Sequence, residues 1–396
     1  MDLNLTPSEE AFRQELSDWL QDNLTDEQKT TRLKGLPEEQ SLELRRAWER
    51  KLGEGGWLGV SWPKEFGGRG VTAMEYVIYL EEMFRAEAPH PVDTLGLGLV
   101  GPTVVDVGTD EQKRRFVQPI LRGEVIWCQG FSEPNAGSDL AGLQTRADLD
   151  GDDWVVNGQK IWSSQAQNAD WCALLARTDQ DAPKHKGISF LLVDMTSPGI
   201  SVRPIKQISG SSEFNEIFFD NVRVPKKNIL GEPNNGWRVA NRLLAYERGV
   251  ITMEMLAGYQ TQWDEMREFA RNTKRNGRPL IEDARIRERL AQSYTDIQLM
   301  RLANLRYITR YVRGEAPGAE TSIMKLYWAS TEQGLCDLAM SLAGPEALAM
   351  PGSPRAFAHD DWITKYLMSR VSTVYGGTLD IQRNIIAERI FGLPRG

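Results

Sequence analysis

The chain has 396 residues, of which 41% are hydrophobic and 26% are charged, and its formal net charge is −8 at pH 7. That length suits two or three structural domains, and the acidic balance argues against nucleic acid as a partner. No stretch approaches the roughly 18 consecutive apolar residues of a membrane span. The N-terminal residues lack a basic region followed by an apolar run, so we expect a soluble, cytoplasmic protein.

The cysteines and histidines indicate neither disulfides nor a metal site. Cys128, Cys172 and Cys336 lie far apart in the sequence, unlike the paired framework of a small secreted domain, and are expected to be reduced packing residues. The three histidines do not stand at metal-ligand spacing from one another or from a cysteine. We therefore expect no zinc or iron site.

The first part of the chain, residues 1–125, is predicted to be an α-helical domain. Thr6 to Glu9 has the pattern of a capping box with proline at the first helical position. Phe12, Leu16 and Leu20 follow at the spacing of one helix face. Several more helices follow, separated by glycine-rich turns.

Residues 126–235 change to short apolar runs rich in Val, Ile, Phe and Trp, which predicts a middle β-domain. Asn157-Gly158 lies between two such runs, and this pair favours the positive φ angles of a tight hairpin turn. We therefore predict a hairpin there. Further strand candidates are Trp171 to Ala176, Ile188 to Val193, Ile200 to Pro204 and Glu216 to Val224.

Helical periodicity returns at Gly236 and continues almost to the C-terminus, so residues 236–396 are predicted to be a second α-helical domain. The order of segments is therefore α, β, α. This order indicates an α+β fold.

One glycine motif is set aside. Gly96 to Gly101 matches the dinucleotide fingerprint letter for letter. A Rossmann turn needs a buried strand before it and a helix that opens on its last glycine, whereas this motif follows Pro89-His90-Pro91 and precedes Pro102. We do not interpret it as a nicotinamide site.

Three long motifs carry a family resemblance: Gln129 to Leu140, Asn157 to Ser164 and Val374 to Asn384. Together with the α, β, α order, they resemble the acyl-CoA dehydrogenases over essentially the whole chain. The resemblance implies a middle β-barrel or sandwich domain and a C-terminal four-helix bundle. It also implies FAD, an acyl-CoA substrate dehydrogenated to the trans-2-enoyl-CoA, and electron transfer to an electron-transfer flavoprotein.

By position in these motifs, the resemblance implies two groups of binding residues. The flavin contacts would come from Gln129, Phe131, Ser132, Trp162, Ser164 and Thr378. Ser138 matches a position that contacts the CoA arm, although a serine in a Gly-Ser-Asp turn can equally be a local turn former.

The catalytic base departs from the commonest pattern of the family, which has glutamate directly after the tyrosine of the third motif. Here that position is Gly376, and its backbone N–H could donate to the thioester oxygen. Glu247 is the candidate base. Its neighbours three and four residues away are all apolar, and desolvation would raise the pKa of its carboxyl towards a useful range.

A family subset carries its base at this helix position, before an arginine, as Glu247-Arg248 does here. Arg248 would orient Glu247 or contact the CoA arm. The alternative is that Glu247 is structural and bonds Arg248 or a subunit partner.

Two segments depart from the pattern of homotetrameric relatives, whose Arg-x-x-Phe-Gly reaches the FAD of a neighbouring subunit. This chain has Thr273 and Asn276 at the matching places, and Ser341 to Pro345 lacks the double glycine of the adenine-binding segment. The departure implies a second, homologous subunit in an α2β2 heterotetramer, as in enzymes of pimeloyl-type or steroid side-chain β-oxidation. Arg271, Lys274 or Arg275 could instead replace the arginine, in which case a homo-oligomer is expected.

Two other functions stay open at this point. One is a non-catalytic subunit of the same fold, and the other is a flavin oxidase or monooxygenase on the same scaffold. A thioester that bleaches the flavin without oxygen would indicate the dehydrogenase, whereas oxygen uptake without CoA would indicate the oxidase.

Overall fold

A computed structural model describes residues 5–30, 36–312, 318–349 and 362–394. Within the helices, the side chains at 245–254, 257, 307, 308, 310–312 and 320 lie outside this description. The chain divides into two compact units. The helical unit comprises Met1–Leu36, Thr72–Ala88 and Arg248–Gly396, and the sheet unit comprises Pro37–Val71 and Pro89–Glu247.

The described residues contain ten α-helices. Their bounds in chain order are α1 Pro7–Asn23, α2 Glu38–Glu54, α3 Ala73–Arg85, α4 Gly101–Val107, α5 Asp110–Leu121, α6 Gly236–Asn272, α7 Ala284–Val312, α8 Glu320–Ala343, α9 Trp362–Met368 and α10 Leu379–Arg389. The predicted capping box at Thr6 is confirmed, and Thr72 and Thr109 begin α3 and α5 in the same way. No helix in these residues is both long and apolar enough to cross a membrane.

Nine strands accompany the helices. They are β1 Trp127–Gly130, β2 Arg146–Asp150, β3 Asp153–Ser164, β4 Trp171–Arg177, β5 Ile188–Asp194, β6 Ile200–Ile205, β7 Phe214–Pro225, β8 Lys274–Arg275 and β9 Arg278–Pro279. The first seven form one sheet of order β1-β4-β2-β3-β7-β6, in which β5 also pairs with β4. The four further strand candidates of the sequence are thereby confirmed.

The central strands of this sheet are buried on both faces. Along β4, Ala173 and Leu175 belong to one apolar cluster, whereas Cys172, Leu174 and Ala176 belong to another. This alternation follows from the two-residue period of a strand. The three cysteines are free and buried, as the sequence predicts.

The predicted hairpin at Asn157-Gly158 is wrong. β3 runs straight through this pair, and the pairing with β7 shifts register between Val156 and Gly158, as at a β-bulge. The glycine is required for a close approach, because a Cβ on Gly158 would lie 2.6 Å from Thr145 Oγ1 and 2.7 Å from its Cα. The chain turns instead at Gly151 and Asp152, between β2 and β3, where Gly151 has φ +62°.

The Gly96 to Gly101 segment is not a strand–turn–helix unit. Gly96–Val100 forms a π-helical turn that leads directly into α4. Before it, the buried Asp93 accepts hydrogen bonds at Oδ1 from the backbone N–H groups of Gly96 (3.0 Å) and Trp127 (2.8 Å). Among the described residues no strand precedes these glycines, so they do not form a Rossmann turn, as the sequence predicts.

The C-terminal helices of the helical unit share an apolar core. α1 packs against α3, and α8 packs against α7, α9 and α10. Buried side chains of α6, α7 and α8 meet in this core, among them Tyr259, Met266, Leu290, Ile297, Trp328 and Leu338. The α+β class is confirmed: a helical N-terminal region, a middle curled sheet and a helical C-terminal region. The residue boundaries of the three domains stay a prediction.

Candidate active site

The first two motifs lie side by side in the sheet unit. Gln129 is half-buried in β1, and the backbone N–H of Ile161 in β3 donates to the carbonyl of Ser132 at 2.9 Å. Phe131 is buried and meets the Phe190 ring edge-on, with 5.9 Å between ring centroids. The two segments that match the flavin-lining motifs thus lie next to each other and form a strip in which Phe131 is buried and Gln129 and Ser132 are half-buried.

Trp162 is strained and exposed at once. Its φ is +63°, in the left-handed region that favours glycine, and 57% of its surface is exposed. It lies where the β3–β7 pairing shifts register between Lys160 and Ser163, and its ring meets Phe214 edge-on at 6.4 Å. A strained, exposed tryptophan in an otherwise regular strand is typical of a site that a ligand covers.

The two serines after Trp162 differ. Ser164 is half-buried opposite Phe214 in the β3–β7 register. Ser163 is buried, and its hydroxyl has no hydrogen-bond partner within the described part of the chain, although its carbonyl accepts from Asn215 Nδ2 at 3.0 Å. Ser163, which the sequence did not single out, therefore has a buried hydroxyl without a described partner next to the exposed Trp162.

Under this strip lies an ion pair that the sequence analysis also missed. Lys160 is fully buried, and its Nζ donates to Glu133 Oε1 at 2.8 Å and to the Phe131 carbonyl at 3.1 Å. Burial lowers the pKa of the Lys160 ammonium to about 8, although the Glu133 carboxylate acts against this. The available signal was a lysine at an inward-facing position of an apolar strand.

Ser138 is exposed, in a turn that precedes a 3₁₀ turn at Leu140–Gly142. Its neighbour Asp139 forms an ion pair with Lys184. The Ser138 side chain bonds none of the described residues, so the turn geometry leaves its hydroxyl available. Its proposed contact with CoA stays a prediction.

The third motif forms a glycine turn at the start of α10 in the helical unit. Gly376 and Gly377 have φ values of +63° and +89°. Thr378 caps α10 by accepting from the Ile381 N–H at 3.2 Å, and Gln382 Nε2 donates to the Gly376 carbonyl at 3.1 Å. Gly376 is exposed, and its N–H meets no acceptor among the described residues. That N–H is free to bind a ligand oxygen.

A buried lysine supports this turn from beneath. Lys325 of α8 donates from Nζ to the Ser372 carbonyl at 2.7 Å. The same ammonium lies 3.6 Å from the ring centroid of Trp328 and 4.4 Å from that of Tyr375, the residue before Gly376. Cation–π contacts of a desolvated ammonium are worth about 2 kcal/mol. Lys325 therefore holds the residues before the glycine turn in place.

The predicted base and its neighbour lie on α6, but their side chains are outside the described residues. The backbone at Glu247 and Arg248 is helical. One turn earlier, Leu243 is fully buried and Leu244 is half-buried. The catalytic assignment of Glu247, and that of Arg248 to Glu247 or CoA, stay predictions.

Two of the basic residues beside Thr273 and Asn276 form contacts within the chain. Arg275 Nη2 donates to the carbonyl of Leu342 at 3.1 Å, at the C-terminal end of α8. Arg271 pairs with Glu268 at 2.8 Å. The Lys274 to Pro279 segment folds as a small hairpin around Asn276 and Gly277. These contacts engage two of the three residues that could replace the missing arginine, and the third, Lys274, is exposed.

Comparison with known proteins identifies the chain in all three parts. Family models described as the N-terminal, middle and C-terminal domains of acyl-CoA dehydrogenase match residues 6–124, 128–222 and 234–391. The acyl-CoA dehydrogenase IpdE1 of Mycobacterium tuberculosis is 43% identical over 98% of each chain. The human mitochondrial short-chain specific acyl-CoA dehydrogenase is 32% identical over 85% of this chain and 81% of its own length.

Solved structures agree. A structure described as the Tcur3481-Tcur3483 steroid ACAD is 33% identical, with a TM-score of 0.88 over 100% of both chains. The ChsE4-ChsE5 complex from Mycobacterium tuberculosis is 34% identical, with a TM-score of 0.87 over 100% of both chains.

Proposed function

The chain belongs to the acyl-CoA dehydrogenase family, and from that premise we propose that it is a catalytic subunit that converts an acyl-CoA thioester to the trans-2-enoyl-CoA. Members of this family are FAD-dependent flavoproteins. The observation that carries the proposal is the hydrogen bond from the Ile161 N–H to the Ser132 carbonyl. It holds the half-buried Ser132 beside β3, the strand that exposes Trp162.

The strip in the sheet unit fits a flat, polar-edged ring. The exposed Trp162 ring supplies apolar area for one face of such a ring. Ser132 offers its N–H and hydroxyl, neither of which bonds another described residue. We expect Gln129, Phe131, Ser132, Trp162 and Ser164 to hold the flavin. Thr378 of the third motif is also proposed as a flavin contact. FAD, when bound, supplies the acceptor for the hydride that leaves the β carbon.

Two further groups act on the thioester in this proposal. The free N–H of Gly376 donates to the thioester carbonyl oxygen and stabilises the negative charge that develops there. The Glu247 carboxylate removes the α proton. Because Gly376 has no side chain, it leaves space beside the α carbon. Arg248 orients Glu247 or binds the CoA arm, and Ser138 contacts that arm.

The substrate class and the partner subunit are proposed from a similar solved structure and from contacts within this chain. The similar Tcur3481-Tcur3483 structure is described as a steroid ACAD, and a glycine at 376 is compatible with a bulky acyl group. We propose a steroid-type acyl chain and a homologous partner subunit that completes an α2β2 assembly, because Arg271 and Arg275 are engaged within this chain. An electron-transfer flavoprotein receives the electrons.

The test is anaerobic flavin bleaching by a panel of acyl-CoA thioesters, with the chain alone and co-expressed with a homologous subunit. Glu247→Gln should abolish bleaching. Glu268→Gln is the matched control, because Glu268 lies on the same helix and is 50% exposed. Bleaching that survives Glu247→Gln would remove Glu247 from the mechanism. Oxygen uptake without any thioester would instead support an oxidase.

A further inference from the structure

The buried lysine of β3 has no role in the chemistry above. The Lys160 side chain lies beside those of Cys172 and Leu174, which with Val156 belong to one apolar cluster, and none of it is exposed. Burying an ammonium is costly unless it is paired. A protein that needed only a filled core could place an apolar side chain here, so the charge itself calls for an explanation.

The counter-charge of Lys160 is held firmly. Glu133 is 8% exposed, and besides Lys160 its carboxylate accepts from the backbone N–H groups of Gln144 at 2.6 Å and Thr145 at 2.8 Å. Burial raises the pKa of the Glu133 carboxyl, but the Lys160 ammonium and these hydrogen bonds outweigh it and lower the pKa overall. Both partners are therefore charged at neutral pH.

The second bond of Lys160 is the informative one. Its Nζ donates to the carbonyl of Phe131, and that carbonyl belongs to the same peptide unit as the N–H of Ser132. A peptide whose oxygen accepts from a cation becomes a better donor at its nitrogen, since bonds in a hydrogen-bond chain strengthen one another by about 10–30% each. The N–H of Ser132 has no acceptor among the described residues.

We propose that Lys160 is a positioning residue for the flavin: its buried charge polarises the Phe131–Ser132 peptide and makes the Ser132 N–H a stronger donor to a carbonyl oxygen of the ring, which becomes more negative on reduction. This inference rests on the proposed flavin strip. A stronger donor stabilises the more negative, reduced form of the ring over the oxidised form. Lys160 therefore makes the bound flavin a better electron acceptor.

The test is the midpoint potential of the bound flavin, measured by reductive titration without any acyl-CoA. Lys160→Met keeps the length of the side chain and removes its charge. We expect the ratio of reduced to oxidised flavin at a fixed potential to fall about tenfold, which for a two-electron couple is about 30 mV. Because no thioester is present, failure of the proposed dehydrogenase activity would leave this result unaffected.

Two further variants separate charge from packing. Val156→Ala makes a cavity in the same strand and core, so it should lower stability but leave the potential unchanged. Should Lys160→Met fail to fold, Lys160→Met/Glu133→Gln removes both buried charges together and should show the same lower potential. An unchanged potential in a folded variant without the lysine charge would overturn the proposal and leave the ion pair as a purely structural link.

Discussion

Gln382 holds the glycine turn of the third motif closed: its Nε2 donates to the Gly376 carbonyl at 3.1 Å, and its side chain is 1% exposed. The same nitrogen also approaches the Gly377 carbonyl at 3.4 Å. A buried amide with two such partners has little freedom to move. It fixes the orientation of the turn whose N–H we assign to the thioester oxygen.

This relationship makes Gly377 sensitive to any side chain. A Cβ at this position would lie 2.6 Å from Gln382 Nε2, and its φ of +89° is strained for other residues. We expect Gly377→Ala to cost about 2–3 kcal/mol in free energy of unfolding and to slow flavin bleaching. Gly392→Ala is the matched control, because its φ is +67° but no atom lies within 4 Å of an added Cβ.

Gly392→Ala should cost only about 1 kcal/mol and leave bleaching unchanged. Chemical denaturation and stopped-flow bleaching of both variants measure the two effects. Equal losses in the two variants would show that the backbone conformation alone matters and that the contact with Gln382 does not.

We expect Trp162 to strengthen cofactor binding while its strained backbone lowers the stability of the protein. Trp162→Gly removes the strain of φ +63°, so the apoprotein should be as stable as before or gain up to about 1 kcal/mol. Its affinity for FAD should fall at least about tenfold, because the aromatic surface is lost. Gln165→Gly relieves a similar φ of +59° and should retain full affinity.

Thermal unfolding of the apoproteins and fluorescence titration with FAD measure both quantities. If Trp162→Gly bound FAD as tightly as the wild type, the tryptophan would have no place in the cofactor site, whatever its effect on stability.

Asp93 should make the stability of the protein depend on pH. Burial, and then the neighbouring Glu49 carboxylate, raise the pKa of Asp93 well above its usual value. A raised folded-state pKa means that the native protein holds a proton more tightly than the unfolded chain. The stability from this group is therefore complete below about pH 4 and is lost as pH rises through the folded-state pKa.

Asp93→Asn keeps an acceptor for the Gly96 and Trp127 N–H groups but cannot ionise. We expect the free energy of unfolding of Asp93→Asn not to fall through ionisation at this position. Its stability relative to the wild type should therefore improve as pH rises above about 4. Asp93→Ala leaves both N–H groups unpaired and should cost about 2–5 kcal/mol below about pH 4, where the wild type has the full contribution of Asp93. Urea unfolding across pH checks this. Parallel pH curves for the wild type and Asp93→Asn would contradict it.

Much of the fold could be predicted because its signals are local. The capping box at Thr6, the strand candidates from Trp171 onward and the helical C-terminal part depend on spacing within a few residues. The hairpin predicted at Asn157-Gly158 was wrong because an Asn-Gly pair is compatible with a β-bulge as well as with a tight turn. The difference lies in Thr145, which approaches Gly158 from another part of the sheet. The true turn was signalled by Asp150-Gly151, which has the same local chemistry.

The candidate site was predictable only where residues could be matched to motifs. The proposed flavin contacts of Ser132 and Trp162 come from their motif positions, and these roles stay predictions. Lys160 and Lys325 were missed, because a buried charge is recognised by its partners, and these come from distant segments. Lys160 pairs with a residue 27 positions earlier, and Lys325 bonds the carbonyl of a residue 47 positions later. No spacing rule predicts such pairs.

The division of the chain into units has a consequence for its biosynthesis. α1 and α3 belong to the helical unit, but the rest of that unit begins only at Arg248. A ribosome that adds about 5–20 residues per second completes the sheet unit first. For about ten seconds or more, the apolar side chains of α1 and α3 are therefore not yet covered by the later helices of their unit. We expect nascent chains halted before Arg248 to bind chaperones through this helix pair, and the sheet unit to be protease-resistant by then.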